Sequence, residues 1–198
     1  MYQTLSTPTI RSGWAETQNR RTLPLIDYEA GGPTLNAPTA DRYSVMWVAE
    51  SDGSSVTVRR EDSEEAVEVL TDTGITQIAL AFDQTMRPHV AYVAGGVAKF
   101  RYWDTLSGDW SLLNLGNAVT PRLCTDEKRS QFIGTEDVIL CYMRGEDLFV
   151  RYQRDRYLEE KLLEANTNGV SLTTIGMNNA NRLQWKIRPK PGFIPPNV

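Results

Sequence analysis

Tyr92-Val-Ala-Gly-Gly-Val-Ala-Lys-Phe-Arg-Tyr102 and Tyr142-Met-Arg-Gly-Glu-Asp-Leu-Phe-Val-Arg-Tyr152 superimpose without a gap at an offset of 50 residues. Each is a strand, a glycine-containing turn and a second strand, the pattern of a β-hairpin. Side chains alternate across a strand. Ala98, Phe100 and Tyr102 therefore share one face, and Leu148, Val150 and Tyr152 share the matching face in the second copy. The other face also holds bulk, at Val97 and Phe149. Strands apolar on both faces fit sheets stacked between neighbouring sheets.

Working outward, each hairpin sits inside a four-strand unit. The first unit runs Ile78–Asp83, Pro88–Tyr92, Val97–Tyr102 and Trp110–Leu115. The second runs Pro121–Asp126, Val138–Tyr142, Asp147–Tyr152 and Tyr157–Leu163. Residues 154–164 contain good helix formers, but the repeat favours an outer strand. A third unit is expected over about 39–70, with strands at Tyr43–Val48, Val56–Arg60 and Ala66–Leu70 around the turn Ser51-Asp-Gly-Ser-Ser. Val56 and Val58 match the shared apolar face. Repeated four-stranded sheets are the blades of a propeller. The expected fold is all-β, with about three propeller-like four-stranded units. A β-sandwich with similar hairpins is the alternative.

Three segments are expected: an extended N-terminal arm over 1–33, broken by Pro8, Pro24, Pro33 and Gly31-Gly32; the repeat domain over 34–165; and a C-terminal hairpin with a Pro-rich tail over 166–198. In the last, Val170–Ile175 and Arg182–Ile187 flank the turn-forming Gly176–Asn181. Leu183, Trp185 and Ile187 alternate onto one face, and the tail carries Phe193 and Ile194.

Composition narrows the function. The 198 residues are 40% hydrophobic and 23% charged, as in ordinary globular chains. A net charge of −4 argues against nucleic acid and against an anionic membrane surface. No apolar run is long enough for a membrane span, and the N-terminus lacks the pattern of a signal peptide, so folding in a cytoplasm is expected. Two cysteines, Cys124 and Cys141, are read as buried thiols.

Catalytic residues are few. His89 is the only histidine and lies at the start of a strand, a structural position more often than a catalytic one. No phosphate loop, dinucleotide fingerprint, nucleophile elbow or metal-ligand spacing occurs. The expectation is no enzyme activity, no cofactor and no metal. Asp83 and Asp126, equivalent in the two copies, are expected to cap turns. The acidic clusters Glu61-Asp62, Glu64-Glu65 and Glu159-Glu160 read as solvated turns and outer strands. Ser107-Gly-Asp109-Trp110 shares part of the Asp-box turn of sialidase-like propellers, but the order differs and it occurs once. Trp14, Trp103 and Trp110 are candidates for sugar stacking, although core or interface filling is the commoner use of tryptophan.

The run Ala79-Leu-Ala-Phe-Asp83, Arg87-Pro-His-Val-Ala-Tyr92, Val97-Ala-Lys-Phe-Arg-Tyr-Trp-Asp104 resembles the propeller repeats of bacterial and phage proteins. Ile175-Gly-Met-Asn-Asn-Ala-Asn-Arg-Leu-Gln-Trp-Lys-Ile187 is similar to the closing hairpin of tailed-bacteriophage tail proteins. The resemblance implies a structural subunit of a tail hub, nozzle, baseplate or fibre attachment, found in the virion. Its partners would be other tail proteins, and a homo-oligomeric ring is expected. Trp103, Asp104, Trp110, Trp185, Phe193 and Ile194 are the expected interaction residues. The rival reading is a lectin-like module that binds host-surface glycans.

Overall fold

A computed structural model describes residues 10–17, 45–60, 64–83, 87–104, 106–125, 138–177 and 182–192. Fourteen strands are present among them: β1 (Ile10–Thr17), β2 (Val45–Ser51), β3 (Ser55–Arg60), β4 (Ala66–Thr71), β5 (Ile75–Phe82), β6 (Pro88–Ala94), β7 (Val97–Asp104), β8 (Asp109–Gly116), β9 (Val119–Thr125), β10 (Val138–Arg144), β11 (Asp147–Tyr152), β12 (Lys161–Glu164), β13 (Gly169–Met177) and β14 (Leu183–Pro189). The described residues contain no α-helix.

The strands form four antiparallel sheets, ordered β1-β2-β3-β4, β5-β6-β7-β8, β9-β10-β11-β12 and β13-β14. Every sheet is a meander, with neighbours in sequence paired in space. The first strands lie side by side, β1 against β5, β5 against β9 and β9 against β13. The chain is thus all-β, in four successive layers compatible with a partial propeller.

Strand alternation explains the layering. In β5 and β6, Ile78, Leu80, Phe82, Val90 and Tyr92 face sheet 1, where they pack with Trp47, Ala49, Val56, Val58 and Val69. The intervening residues Ala79, Ala91 and Val93 face sheet 3, with Ala98 and Phe100 of β7, and meet Leu140, Tyr142 and Tyr157. Sheet 3 repeats the device: Ile139, Cys141, Met143, Leu148 and Val150 pack on Leu172 and on the inner face of sheet 4. Each core lies between two sheets, so a sheet cannot bury its apolar faces alone.

The two copies of the hairpin hold the same register. Ala94 pairs with Val97 around Gly95-Gly96, and Arg144 pairs with Asp147 around Gly145-Glu146. Both glycines of the first turn have positive φ (56° and 79°), the type I′ geometry that matches strand twist. In the second turn only Gly145 does.

Two expectations need correction. Part of the segment expected to be an arm is strand: β1 pairs along the whole of β2 and supplies the first strand of sheet 1. Its register shifts between Ser12 and Trp14, where Gly13 sits, as glycine in a strand often marks a bulge. The fourth strand of the second copy is shorter than expected, only Lys161–Glu164. The residues before it form a 3-10 turn, Gln153–Asp155, closed by Arg156 and Tyr157 in left-handed conformations (φ 57° and 60°). The expected C-terminal hairpin forms the fourth layer of the same stack. Phe193, Ile194, Asp126, Glu61-Asp62 and the rest of 1–33 lie outside the described residues, as does the side chain of Trp14.

Candidate functional site

The chemistry-bearing side chains gather where sheet 2 meets sheet 3. At the end of β7, alternation sends Tyr102 toward sheet 3 and Trp103 to the opposite face. Trp103 stands directly across from Trp110 on β8, with ring centroids 5.3 Å apart and planes at 84°. The Arg87 guanidinium lies 4.0 Å from the Trp103 ring centroid, and that of Arg101 lies 3.9 Å from Trp110. The result is a pair of indoles with a guanidinium over each, each cation–ring contact worth about 0.5–2 kcal/mol. Trp110 also packs against the core between sheets 1 and 2. Both expected sugar-stacking indoles on this sheet therefore carry a guanidinium on a ring face.

Asp104, next in sequence, is buried and turned to sheet 3. Arg156 donates to it from Nε at 3.0 Å and from Nη2 at 2.5 Å, and the Leu106 N–H donates at 3.1 Å. The hydrogen bond from Arg156 holds the Asp104 carboxyl down at about 2. A bidentate guanidinium–carboxylate pair fixes geometry as well as charge. It clamps the 153–157 turn of sheet 3 onto the end of β7.

Behind the clamp, Tyr157 enters the interface. Its ring meets Phe100 and Tyr102, both at 4.7 Å between centroids, and its hydroxyl lies 3.1 Å from His89 Nδ1. His89 Nε2 faces Asp83 Oδ2 at 3.6 Å. Asp83 in turn accepts the Arg87 N–H at 3.0 Å, capping the turn between β5 and β6. Asp83 is thus the turn-capping residue expected, with a second role toward the histidine. Tyr157, His89 and Asp83 are all buried, His89 completely. The imidazole is closed from solvent; Nδ1 meets the Tyr157 hydroxyl of sheet 3, and Nε2 makes no hydrogen bond among the described residues.

The repeat reuses one tyrosine. The Tyr92 hydroxyl donates to Asp72 Oδ2 at 3.2 Å, which also receives Lys99 Nζ at 2.6 Å. Its counterpart Tyr142 donates to Glu160 Oε2, which also receives Arg144 Nη2 at 3.0 Å and Arg151 Nη2 at 3.2 Å. These hydrogen bonds, that of Arg144 first, hold the Glu160 carboxyl down at about 2. Burial pushes the Tyr142 hydroxyl up to about 12. Glu160, expected as a solvated acid, is instead the anchor of this cluster. Trp185 is also engaged: its indole N–H donates to Glu164 Oε2 at 2.7 Å, and its ring packs on the core between sheets 3 and 4.

The structure therefore brings Trp103 and Trp110 together on the sheet 1 side of the β7–β8 end, sets Asp104 on its sheet 3 side, and places Trp185 at another junction. Sequence reading missed Arg156, Tyr157 and Glu160. No local pattern marks Arg156, whose partner is 52 residues away. The two cysteines are not joined in a disulfide; Cys141 is buried and Cys124 half-buried. Among the described residues no three His, Cys, Asp or Glu side chains are grouped to hold a metal ion. No family model matches the sequence, and no curated protein or solved structure matches it significantly.

Proposed function

We propose that this chain is a non-enzymatic structural subunit of a tailed-phage tail, folded in the host cytoplasm and built into the virion. The observation that carries the reading is the set of open sheet edges. The outer strands β4, β8, β12 and β14 each end a sheet, and no described strand pairs with their far sides. Open edges are templates for pairing with other chains. The polar side chains of the sheet 2–sheet 3 junction, meanwhile, are directed at one another. The resemblance of the 79–104 run and of the closing hairpin to phage proteins supports the same assignment.

The test is mass spectrometry of purified phage particles. The reading expects peptides of this chain in fixed ratio to other tail proteins, and retention of the chain when tails are separated from capsids. Its absence from particles overturns the proposal. The glycan-binding rival is addressed by a glycan array: specific binding abolished by Trp103→Ala would put the lectin reading in its place.

A further inference from the structure

Among the described residues, sheet 4 has two strands where its three predecessors have four. Its outer strand, β14, therefore has no described strand in the position that a third strand covers in every other sheet. The side chains of β14 alternate strictly. Leu183, Trp185 and Ile187 turn inward to the third core, and Gln184, Lys186 and Arg188 are exposed. The strand carries two cations and no acid.

One other edge strand of the chain has the complementary pattern. In β4, Val67 and Val69 turn inward to the first core, and Glu68 is exposed between them, with Glu64 and Glu65 exposed just before the strand. The remaining outer strands do not match. β8 exposes Leu112 and Asn114, and the Glu164 carboxylate of β12 already accepts the Trp185 indole N–H. Placed antiparallel with Glu68 opposite Lys186, β4 sets Val67 against Ile187 and Val69 against Trp185. The same register brings Glu64 to the level of Lys190, which already pairs with Glu146, so the charge match rests on Glu68 and Lys186. Apolar residues then share one face and opposite charges the other, as favourable cross-strand pairs require. Pairing β14 with another β14 about Ile187 would instead oppose Lys186 to Arg188.

We infer that β14 is an acceptor edge for β4 of a second copy of this chain, a head-to-tail contact that extends sheet 4 across the boundary between subunits. The inference rests on the assembly reading above and gives it a surface. A head-to-tail contact uses different patches on the two subunits, so repetition makes a ring or a filament. A single six-residue strand pair is a weak contact, and ring closure strengthens it by making the last contact intramolecular. Lys186, Arg188 and Pro189 are also residue types by which solitary edges repel strands. That bland role is distinguishable, because it predicts a monomer.

The experiment is sedimentation of the full-length chain over a range of concentrations, with Glu68→Lys, Lys186→Glu and the double variant. Both substituted positions are exposed, and circular dichroism checks that each variant is folded. Concentration-dependent assembly is expected in the native chain. Each single reversal weakens it about tenfold or more, and the double swap restores most of it. As a charge-independent check, a mixture of Glu68→Cys and Lys186→Cys chains cross-links on oxidation, whereas neither variant alone does. A native chain that stays monomeric throughout overturns the inference. So does an oligomer indifferent to the reversals whose cysteine mixture fails to cross-link. A monomer that is nonetheless found in phage tails refutes this contact and spares the proposed function. Self-assembly of a chain absent from particles does the opposite.

Discussion

Tyr157 offers a test of the junction between sheets 2 and 3, because it combines a buried ring, a buried hydroxyl and a left-handed backbone (φ 60°). Replacing it with phenylalanine keeps the ring and removes the hydroxyl that sits 3.1 Å from His89 Nδ1. That leaves a buried nitrogen without this partner and costs about 1–2 kcal/mol. Alanine also deletes the ring and its contacts with Phe100 and Tyr102, a loss of about 3–5 kcal/mol. Domains of this size have a total stability of about 5–15 kcal/mol, so the alanine variant loses a large share. The matching fall in Tm is roughly 6–20 °C. Glycine is the informative third substitution. It loses the same ring but relieves the left-handed strain, so it is expected to be about 1 kcal/mol more stable than alanine, reversing the usual order in a regular strand. Urea unfolding followed by tryptophan fluorescence measures all three. An alanine variant within 1 kcal/mol of the native chain, or one more stable than the glycine variant, refutes the reasoning.

Three further outcomes follow from the packing. Phe100→Asp and Leu148→Asp each place a charge at a fully buried position between sheets and are expected to abolish soluble expression, read by fractionation of cell lysates. Glu160 and Asp104 are held at about 2 in the folded chain and titrate near 4 when unfolded, so the unfolded state binds more protons between those values. Stability is then full above about pH 5 and falls as pH drops toward 2. Glu160→Gln flattens that acid limb and costs about 1–2 kcal/mol at pH 7, with solvent screening at the rim taken into account; denaturant midpoints at pH 3, 5 and 7 measure it. Gly169→Ala would put a Cβ only 1.9 Å from Ile187 Cγ2, and the displacement it forces in sheet 4 costs about 1–3 kcal/mol, measurable as a lowered Tm.

The hairpins were legible in the sequence because alternation and turn chemistry are local. Ala98 and Phe100 announce their face two residues apart, and Gly95-Gly96 announces the turn between their strands. The layered arrangement was legible because the repeat at an offset of 50 shows the same face twice. β1 was not legible: it has no repeat partner in sequence, Gly13 interrupts its alternation, and 27 residues separate it from β2. The turn that presents Tyr157 was hidden as well, since a non-glycine residue with positive φ leaves no compositional mark. The ion pairs of the rim were illegible for a different reason. Asp104 and Arg156 meet only because two sheets stack, so their pairing is a property of the tertiary fold.

The layering also governs how the molecule comes apart. Among the described residues each sheet packs mainly on its predecessor and its successor, so the energetics are those of a short linear array with nearest-neighbour coupling. Interior units are held on two sides and end units on one. Sheet 4, short and coupled only to sheet 3, is expected to open and close well below the global unfolding free energy. Amide hydrogens of β6 and β10 then exchange last, those of β13 and β14 far earlier, and the molecule frays from its terminal layer inward.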